Sequence, residues 1–423
     1  MLAITTEKVK HIFSSDTLNA FAKETKFIQR ERKITAQDFL FQHLMVGSKT
    51  ASLADIAEDF FESKQVEVTK QAIHKKYKAQ AICFLEKVLS ELMSFAVERE
   101  IPLSAISFVQ RVITTDSSGL KLHQAFAALY PGIRNQKAGL KLQTIMNVVT
   151  NKLYSLDVCG ARENDQSYTQ YIDHIKSKDL SINDLGYFCV DSFKAIQEKG
   201  AFFLSRFLKT TLVYCQDKTK FDLESYLKKT KDNKLDMSIL LGASKLSCRI
   251  VAIRLPPEAY QQRLKNLAEK NRKNGHKNKT KSSVFDEWTL FVTNLPTSVI
   301  PDTLLMLYGL RWQIELFFKV IKTFLNLRDL SVHKNLHKAF TILYSSLIAA
   351  ALLTLCSITI ANEEISLYKA AKYFVKNMPK FINLCRTDSP PIFWVVEKIK
   401  RVASKESAPK RPTAKANLGV SFA

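Results

Sequence analysis

Apolar residues in the first hundred positions recur at helical spacing. Between Ser52 and Phe61, the residues Leu53, Ile56, Ala57 and Phe60 fall on one face. Ser52 followed by Asp55 has the form of a capping box. After a short break, SKQVEV, Thr69 is placed to cap a second helix through TKQAIHKKYKAQAICFLEKVL. Two helices with a short connection suggest a helix-turn-helix-like unit, with Lys70, Gln71, His74 and Lys75 placed to face a DNA groove. An ordinary helical hairpin with a solvated basic face fits those residues equally well.

Near residue 106 the period changes. SFVQRVITT reads as a strand that ends at Asp116, and LQTIMNVV and LYSLDVC read as a hairpin around Thr150-Asn151-Lys152. A helix is expected over 167–176, then a short strand into Asp184, a helix over 190–199 and a strand at AFFLSRF. Strands that precede helices give an α/β order. Residues 208–286 interrupt it as a β-rich insertion containing DMSILLG and LSCRIVAIRL. The insertion ends in a basic run from Arg263 to Lys281 that reads as a flexible loop able to touch DNA phosphates. WTLFVTNLP returns to strand, and one long helix is expected from Pro301 to Thr323. The expected parts are a helical DNA-binding domain over 1–104, a catalytic domain over 105–329, a helical region over 330–403 and a disordered basic tail over 404–423.

Charge narrows the class. The chain has 423 residues, 46% hydrophobic, with a net charge of +23. The hydrophobic content is enough for real cores, and the charge points to a polyanionic partner such as nucleic acid. Seven scattered cysteines form no CxxC pair, which argues against a disulfide framework and a cysteine-based zinc site. They suit a reduced cytosolic setting. The first residues, MLAITTEKVKHIF, lack the apolar core of a signal peptide. Ala339–Ala361 holds no charged residue over 23 positions, long enough to span a bilayer. Its hydroxyl residues and its place after an enzyme-like stretch favour a buried helix and no membrane partner.

The densest chemistry lies in YGLRWQIELFFKVIK. Tyr308, Arg311, Glu315 and Lys322 stand at offsets 0, 3, 7 and 14. On a continuous helix these fall at about 0°, 300°, 340° and 320°, one narrow stripe, with Lys319 close to it. A carboxylate on a mostly apolar helix is costly unless it is paired or holds a metal. An internal ladder of Arg311, Glu315 and Lys319 is the structural alternative.

This four-residue spacing resembles the Y-R-E-K signature of a large bacterial family of DDE insertion-sequence transposases of the IS-four type. TTDSSGLKL at Asp116 and NDLGYF at Asp184 are similar to the family's first and second aspartate motifs. Asp165, Asp173 and Asp191 compete for the second place; Asp184 is preferred because Gly186-Tyr187-Phe188 follows it at a strand end. The resemblance covers roughly residues 50–330. It implies an α/β RNase H-like core with a β-rich insertion, flanked by α-helical regions. It implies that Asp116, Asp184 and Glu315 hold two Mg²⁺ or Mn²⁺ ions, with Asp116 bridging both. Two ions about 4 Å apart serve both the attacking and leaving oxygens of a phosphodiester. Tyr308, Arg311 and Lys322 are implied as phosphate contacts, Lys319 beside them as a further DNA-binding residue, Arg206 as a contact to the DNA end, and Trp288 as a platform for a flipped base. For Trp288 a core position at the start of a strand is the alternative. The implied partners are double-stranded DNA, as terminal inverted repeats and target, and a second copy of the chain in a cytoplasmic, nucleoid-associated synaptic complex. The implied pathway is cut-and-paste through hairpin ends. A DNA-binding protein without activity, and a nuclease that cuts without joining, remain as rivals.

Overall fold

The computed structural model describes residues 2–30, 32–46, 52–94, 103–273, 283–325, 327–359, 366–387 and 391–406. The N-terminal helices are α1 (Leu2–Ile12), α2 (Ser15–Glu24), α3 (Ala36–Val46), α4 (Leu53–Lys64), α5 (Lys70–His74) and α6 (Ala79–Ser94). The Ser52–Asp55 capping box is formed, and Thr69 caps α5. The single second helix expected from Thr69 is broken at Lys75–Lys78. The break lets Tyr77 turn inward, where it is buried and bonded to the buried His43 at 3.0 Å. A straight helix would have had to choose between that contact and the inward face of α6.

One mixed sheet of nine strands organises the rest, in the order β3-β2-β1-β4-β5-β9-β8-β7-β6. Its strands are β1 (Arg111–Lys121), β2 (Gly139–Asn147), β3 (Lys152–Gly160), β4 (Asp179–Asn183), β5 (Phe202–Arg206), β6 (Val213–Tyr214), β7 (Lys234–Leu241), β8 (Leu246–Arg254) and β9 (Trp288–Thr293). The β2–β3 hairpin turns through Asn151 at a positive φ, a conformation asparagine tolerates. β1 pairs parallel to β4 only from Arg111 to Ile113, then continues in an antiparallel ladder with β2 as far as Lys121. Asp116 is therefore in mid-strand, not at a strand end, but it stands just past the point where β4 stops pairing.

α7 (Val190–Glu198) links β4 to β5 as expected. The helix expected over 167–176 is instead two 3₁₀ turns, Asp165–Ser167 and Gln170–His174. The insertion is not a separate lobe. Its β8 pairs with β9, and β9 pairs with β5, so β6–β8 extend the same sheet. It also carries α8 (Leu223–Lys229) and α9 (Pro257–Lys273). The first half of the expected basic loop is thus helix α9; 274–282 lie outside the described residues. Arg249 on β8 is buried, pairs with Asp236, and donates to the carbonyls of Leu295, Pro296 and Val299. It fixes the connection from β9 to the next helices.

Those helices are α10 (Pro301–Gly309) and α11 (Trp312–Phe324), where the sequence suggested one. A tight turn at Leu310–Arg311, with N–H groups bonded three residues back, interrupts the α-helical bonding, so Tyr308 belongs to α10 while Glu315, Lys319 and Lys322 belong to α11. After them come α12 (Leu336–Thr359), α13 (Leu367–Lys376), α14 (Met378–Arg386) and α15 (Pro391–Glu406). α15 runs into the expected disordered tail, whose remainder lies outside the described residues. α12 has the length and apolarity of a membrane span, yet 83% of its most apolar window is buried inside the protein. It packs against α6, α3 and β3, while α1 packs on α15 and α14 on α3. The N- and C-terminal helices thus form one body around a shared core on one face of the sheet. The other face is covered by α7 and by the insertion.

Candidate active site

Three elements bring the acids together. β1 carries Asp116, the residue after β4 is Asp184, and the first turn of α11 carries Glu315. α11 turns Ile314, Phe317, Val320 and Ile321 into the core, which leaves Glu315 on the flank facing β1. The Asp116 carboxylate accepts the Ser117 N–H at 2.8 Å and lies 3.3 Å from Arg311 Nη1. The other terminal nitrogen of Arg311 donates to Glu315. Tyr308 donates its hydroxyl to Asp184 at 3.4 Å, and the Arg311 guanidinium lies over the Tyr308 ring.

The electrostatics record the crowding. Burial pushes the Asp116 carboxyl up to about 6; the Ser117 N–H and Arg311 oppose this, while the charges of Asp184 and Glu315 add to it. Tyr308 is pushed up to about 12 by burial and by Asp184, against the pull of Arg311 and Arg206. Asp184 is the aspartate coupled to Asp116. The competitors are elsewhere engaged: Asp165 is bonded to Lys141 and Gln143, and Asp173 and Asp191 are exposed.

Among the described residues no group of three or more His, Cys, Asp or Glu side chains is gathered tightly enough to hold an ion. Arg311 stands between Asp116 and Glu315, where its charge offsets part of theirs. The donor set nonetheless suits a hard divalent cation: all carboxylate oxygen, partly buried, and mutually repelling. A divalent ion would compete with Arg311 for the same oxygens.

The remaining sequence-derived residues divide. Arg206, at the end of β5, is close enough to act on Tyr308 and on Arg263. Lys322 is half-buried, and burial followed by Arg328 lowers its pKa. Lys319 points away, its ammonium 5.5 Å from the centre of the Tyr368 ring on α13. The Arg311–Glu315 half of the suggested ladder is present, but Lys319 does not extend it toward the site. Trp288 needs correction. It is 1% exposed, with Arg254 stacked 4.6 Å from its ring centre, and Arg263 donates to its carbonyl. A base-stacking platform needs an open face, and this ring has none. Trp312, beside Arg311, is 57% exposed. Sequence reading passed over it as one more apolar position, although the inward face of α11 is already filled by other residues.

Comparison with known proteins identifies the family. Residues 107–352, more than half of the chain, match the family described as Transposase DDE domain. A transposase for insertion sequence element IS1151 from Clostridium perfringens is 27% identical, over 88% of this chain and 86% of its own length. Transposases for IS231E and IS231F, from Bacillus thuringiensis subspecies finitimus and israelensis, are 25% and 24% identical. They cover 78% and 86% of this chain and 74% and 83% of their own lengths. A sheet that seats two aspartates beside a glutamate-bearing helix, in a strongly basic chain, the family match over more than half of the chain, and likeness to insertion-sequence transposases over most of its length lead to one conclusion: the chain belongs to the DDE transposase family.

Proposed function

We propose that this transposase cleaves DNA at the ends of its insertion sequence and joins the freed 3′ ends to target DNA, with Asp116, Asp184 and Glu315 as its catalytic acids. The observation that carries the reading is the convergence of these three side chains, from three separate elements, around Arg311 and Tyr308. The strand order β3-β2-β1-β4-β5, with β1, β4 and β5 parallel, supports an RNase H-like core.

The three acids would hold two Mg²⁺ or Mn²⁺ ions, which when bound supply an activated oxygen nucleophile and stabilise the leaving oxygen. Hydrolysis adds water across the P–O3′ bond and leaves a 3′ hydroxyl. That oxygen then attacks a target phosphate and displaces the target's own 3′ oxygen. The protein's part is to place the phosphate and the acids. Tyr308 remains protonated near neutral pH and holds Asp184 by its hydroxyl. Arg311 presents a planar fork of donors suited to phosphate. Lys322 carries a half-buried charge, and a DNA phosphate would supply its counter-anion. Arg206 extends the cationic wall along the sheet.

DNA affinity also has a seat in the N-terminal helices. A groove of about 970 Å³ runs between the α2–α3 connection and the break after α5. Lys26, Arg30, Arg32 and Lys33 line one side and Lys75, Lys76 and Lys78 the other, with Glu67 the single acid among the lining residues. This groove, more than a lone recognition helix, carries the DNA-binding reading of residues 1–104, since α5 has only five residues. We further propose that the enzyme works as a dimer on paired ends in the bacterial cytoplasm, by cut-and-paste through hairpin ends.

The test is cleavage of a duplex carrying the element's own end, with Mg²⁺, with EDTA, and with Glu315→Gln. Cutting that needs metal and vanishes in the variant, while end binding persists, is the expected result. Undiminished cutting by Glu315→Gln would remove the glutamate from the mechanism. Binding with no cutting by the wild type would make the chain a DNA-binding protein without activity. Gel analysis of the products distinguishes hairpins, joined strands and simple nicks.

A further inference from the structure

We infer that Asn183 and Tyr187 are positioning residues, which set the spacing of Asp116 and Asp184 through two side-chain ties across the sheet. The inference rests on the reading of those two aspartates as catalytic. The backbone ladder between β1 and β4 ends at Ile113 opposite Ser181. Past that point no backbone bond holds the two strands in register, yet both acids lie past it.

The first tie replaces the missing rung. The Thr115 N–H donates to Asn183 Oδ1 at 2.9 Å. Thr115 and Asn183 are the residues immediately before Asp116 and Asp184, so the bond joins the two chains one residue from each carboxylate. Asn183 is buried, and its Nδ2 donates to Ser181 Oγ at 3.2 Å, which fixes the sense of the amide. A flipped amide would set N–H against N–H.

The second tie comes from the other side of Asp184. That residue opens a 3₁₀ turn closed by the Tyr187 N–H on the Asp184 carbonyl at 2.9 Å. Tyr187 is buried and crosses to β2, where its hydroxyl donates to Gln143 Oε1. Gln143 sits directly opposite Ser117, the neighbour of Asp116. Its Nε2 donates to Asp165 Oδ1 at 3.1 Å, and Lys141 Nζ donates to the same oxygen at 2.9 Å. Each link has one sense of donation: Lys141 and Gln143 to Asp165, and Tyr187 to Gln143. An amide oxygen can only accept, so the tyrosine hydroxyl is the donor in this pair. Its neighbours Phe188, Phe193 and Phe203 fill the same core without a hydroxyl. The Tyr187 hydroxyl is therefore not needed for packing. It closes a loop from Asp184 through Tyr187 and Gln143 to the β1 strand at Asp116.

Carboxylates that share ions tolerate little displacement: a misplacement of about 1 Å costs on the order of 100-fold in rate, and partners of metal ligands typically account for about 10–100-fold in affinity or activity. The full-length protein is compared with Tyr187→Phe and with Asn183→Leu. Mn²⁺ affinity is measured by calorimetry without DNA, end cleavage at saturating DNA and metal, and thermal midpoint by calorimetric scan. Tyr187→Phe keeps the ring edge-on to Tyr171. It is expected to keep its midpoint within a few degrees and its end binding unchanged, to need at least about fivefold more Mn²⁺, and to cleave at least about tenfold more slowly. Asn183→Leu reproduces the metal effect through the other tie, should one variant fold poorly. Tyr154→Phe removes a tyrosine hydroxyl bonded to Arg111 at 3.1 Å, outside the two ties, and serves as the stability control. Wild-type Mn²⁺ affinity and rate in both tie variants would overturn the inference, as would losses that merely track the midpoint and appear equally in Tyr154→Phe. Asp116→Asn and Asp184→Asn separate the two levels. Cleavage by either one removes the catalytic assignment and this inference with it. Inactive aspartate variants beside a wild-type-like Tyr187→Phe would defeat the ties alone.

Discussion

Replacing Asp116 by Asn should make the metal-free protein more stable at alkaline pH while abolishing cleavage. The side chain is about one-fifth exposed (19%), and its carboxyl is pushed up from its ordinary 3.8 to about 6. The unfolded chain binds that proton only below about 4, whereas the folded chain holds it up to about 6. Above pH 6 the folded state therefore carries a carboxylate that burial and two neighbouring acids disfavour. The cost fades as the pH falls from 6 to 3.8 and is absent below. A difference of about two decades in proton affinity corresponds to about 3 kcal/mol. Asparagine carries no charge and keeps an oxygen for the Ser117 N–H. Its loss is the ion pair with Arg311, which retains Glu315. A net gain of about 1–3 kcal/mol at pH 8, and almost none at pH 4, is the expected balance. Urea unfolding in EDTA at both pH values measures it. Added Mg²⁺ should stabilise the wild type by mass action and leave the variant nearly unmoved. A variant no more stable than wild type at pH 8, or one whose gain is the same at pH 4, would refute the reasoning.

Two further outcomes follow from other parts of the chain. His43 is buried between the Phe39 carbonyl at 2.7 Å and the Tyr77 hydroxyl at 3.0 Å, and burial pushes it down to about 4. A carbonyl can only accept, so Nδ1 carries the proton and Nε2 accepts from Tyr77. The unfolded chain gains a proton below 6.5 that the folded chain refuses until about 4, so this residue should remove about 3 kcal/mol of stability across that window. Its slope opposes that of Asp116, so it is best read in the Asp116→Asn background, where His43→Gln should flatten it. In the N-terminal groove, Lys75→Glu with Lys76→Glu should weaken binding to the element's end and to unrelated duplexes alike. The salt slope of the logarithm of affinity should drop by about two, near 0.9 per lost phosphate contact. An unchanged slope in gel-shift titrations would place the DNA elsewhere.

Local signals were legible wherever neighbouring residues settle the matter. The Ser52 and Thr69 caps, the hairpin through Asn151, the short strand into Asp184 and the helix after Val190 all form as their residues suggest. Capping, turn chemistry and period-two alternation act over a few positions, so a sequence displays them directly. What neighbouring residues do not settle depends on distant contacts. The helix from Thr69 breaks because Tyr77 finds His43, thirty-four positions away. The strands of the insertion join the central sheet because β9 returns to pair with both β5 and β8. Trp288 is covered by Arg254 and clamped by Arg263.

The sequence by itself supplied the candidate chemistry: three acids in order, an arginine four residues before the glutamate, and an excess of positive charge. It also marked α12 as a helix fit for a nonpolar surrounding. Only the tertiary structure decided what that surrounding is, burying α12 between the N-terminal helices and the sheet edge. Only the tertiary structure decided that Arg311 stands between Asp116 and Glu315, because that position depends on strand β1, almost two hundred residues upstream. Residue type is a property of the chain; the field at a carboxylate is the sum over every group that folding brings near it.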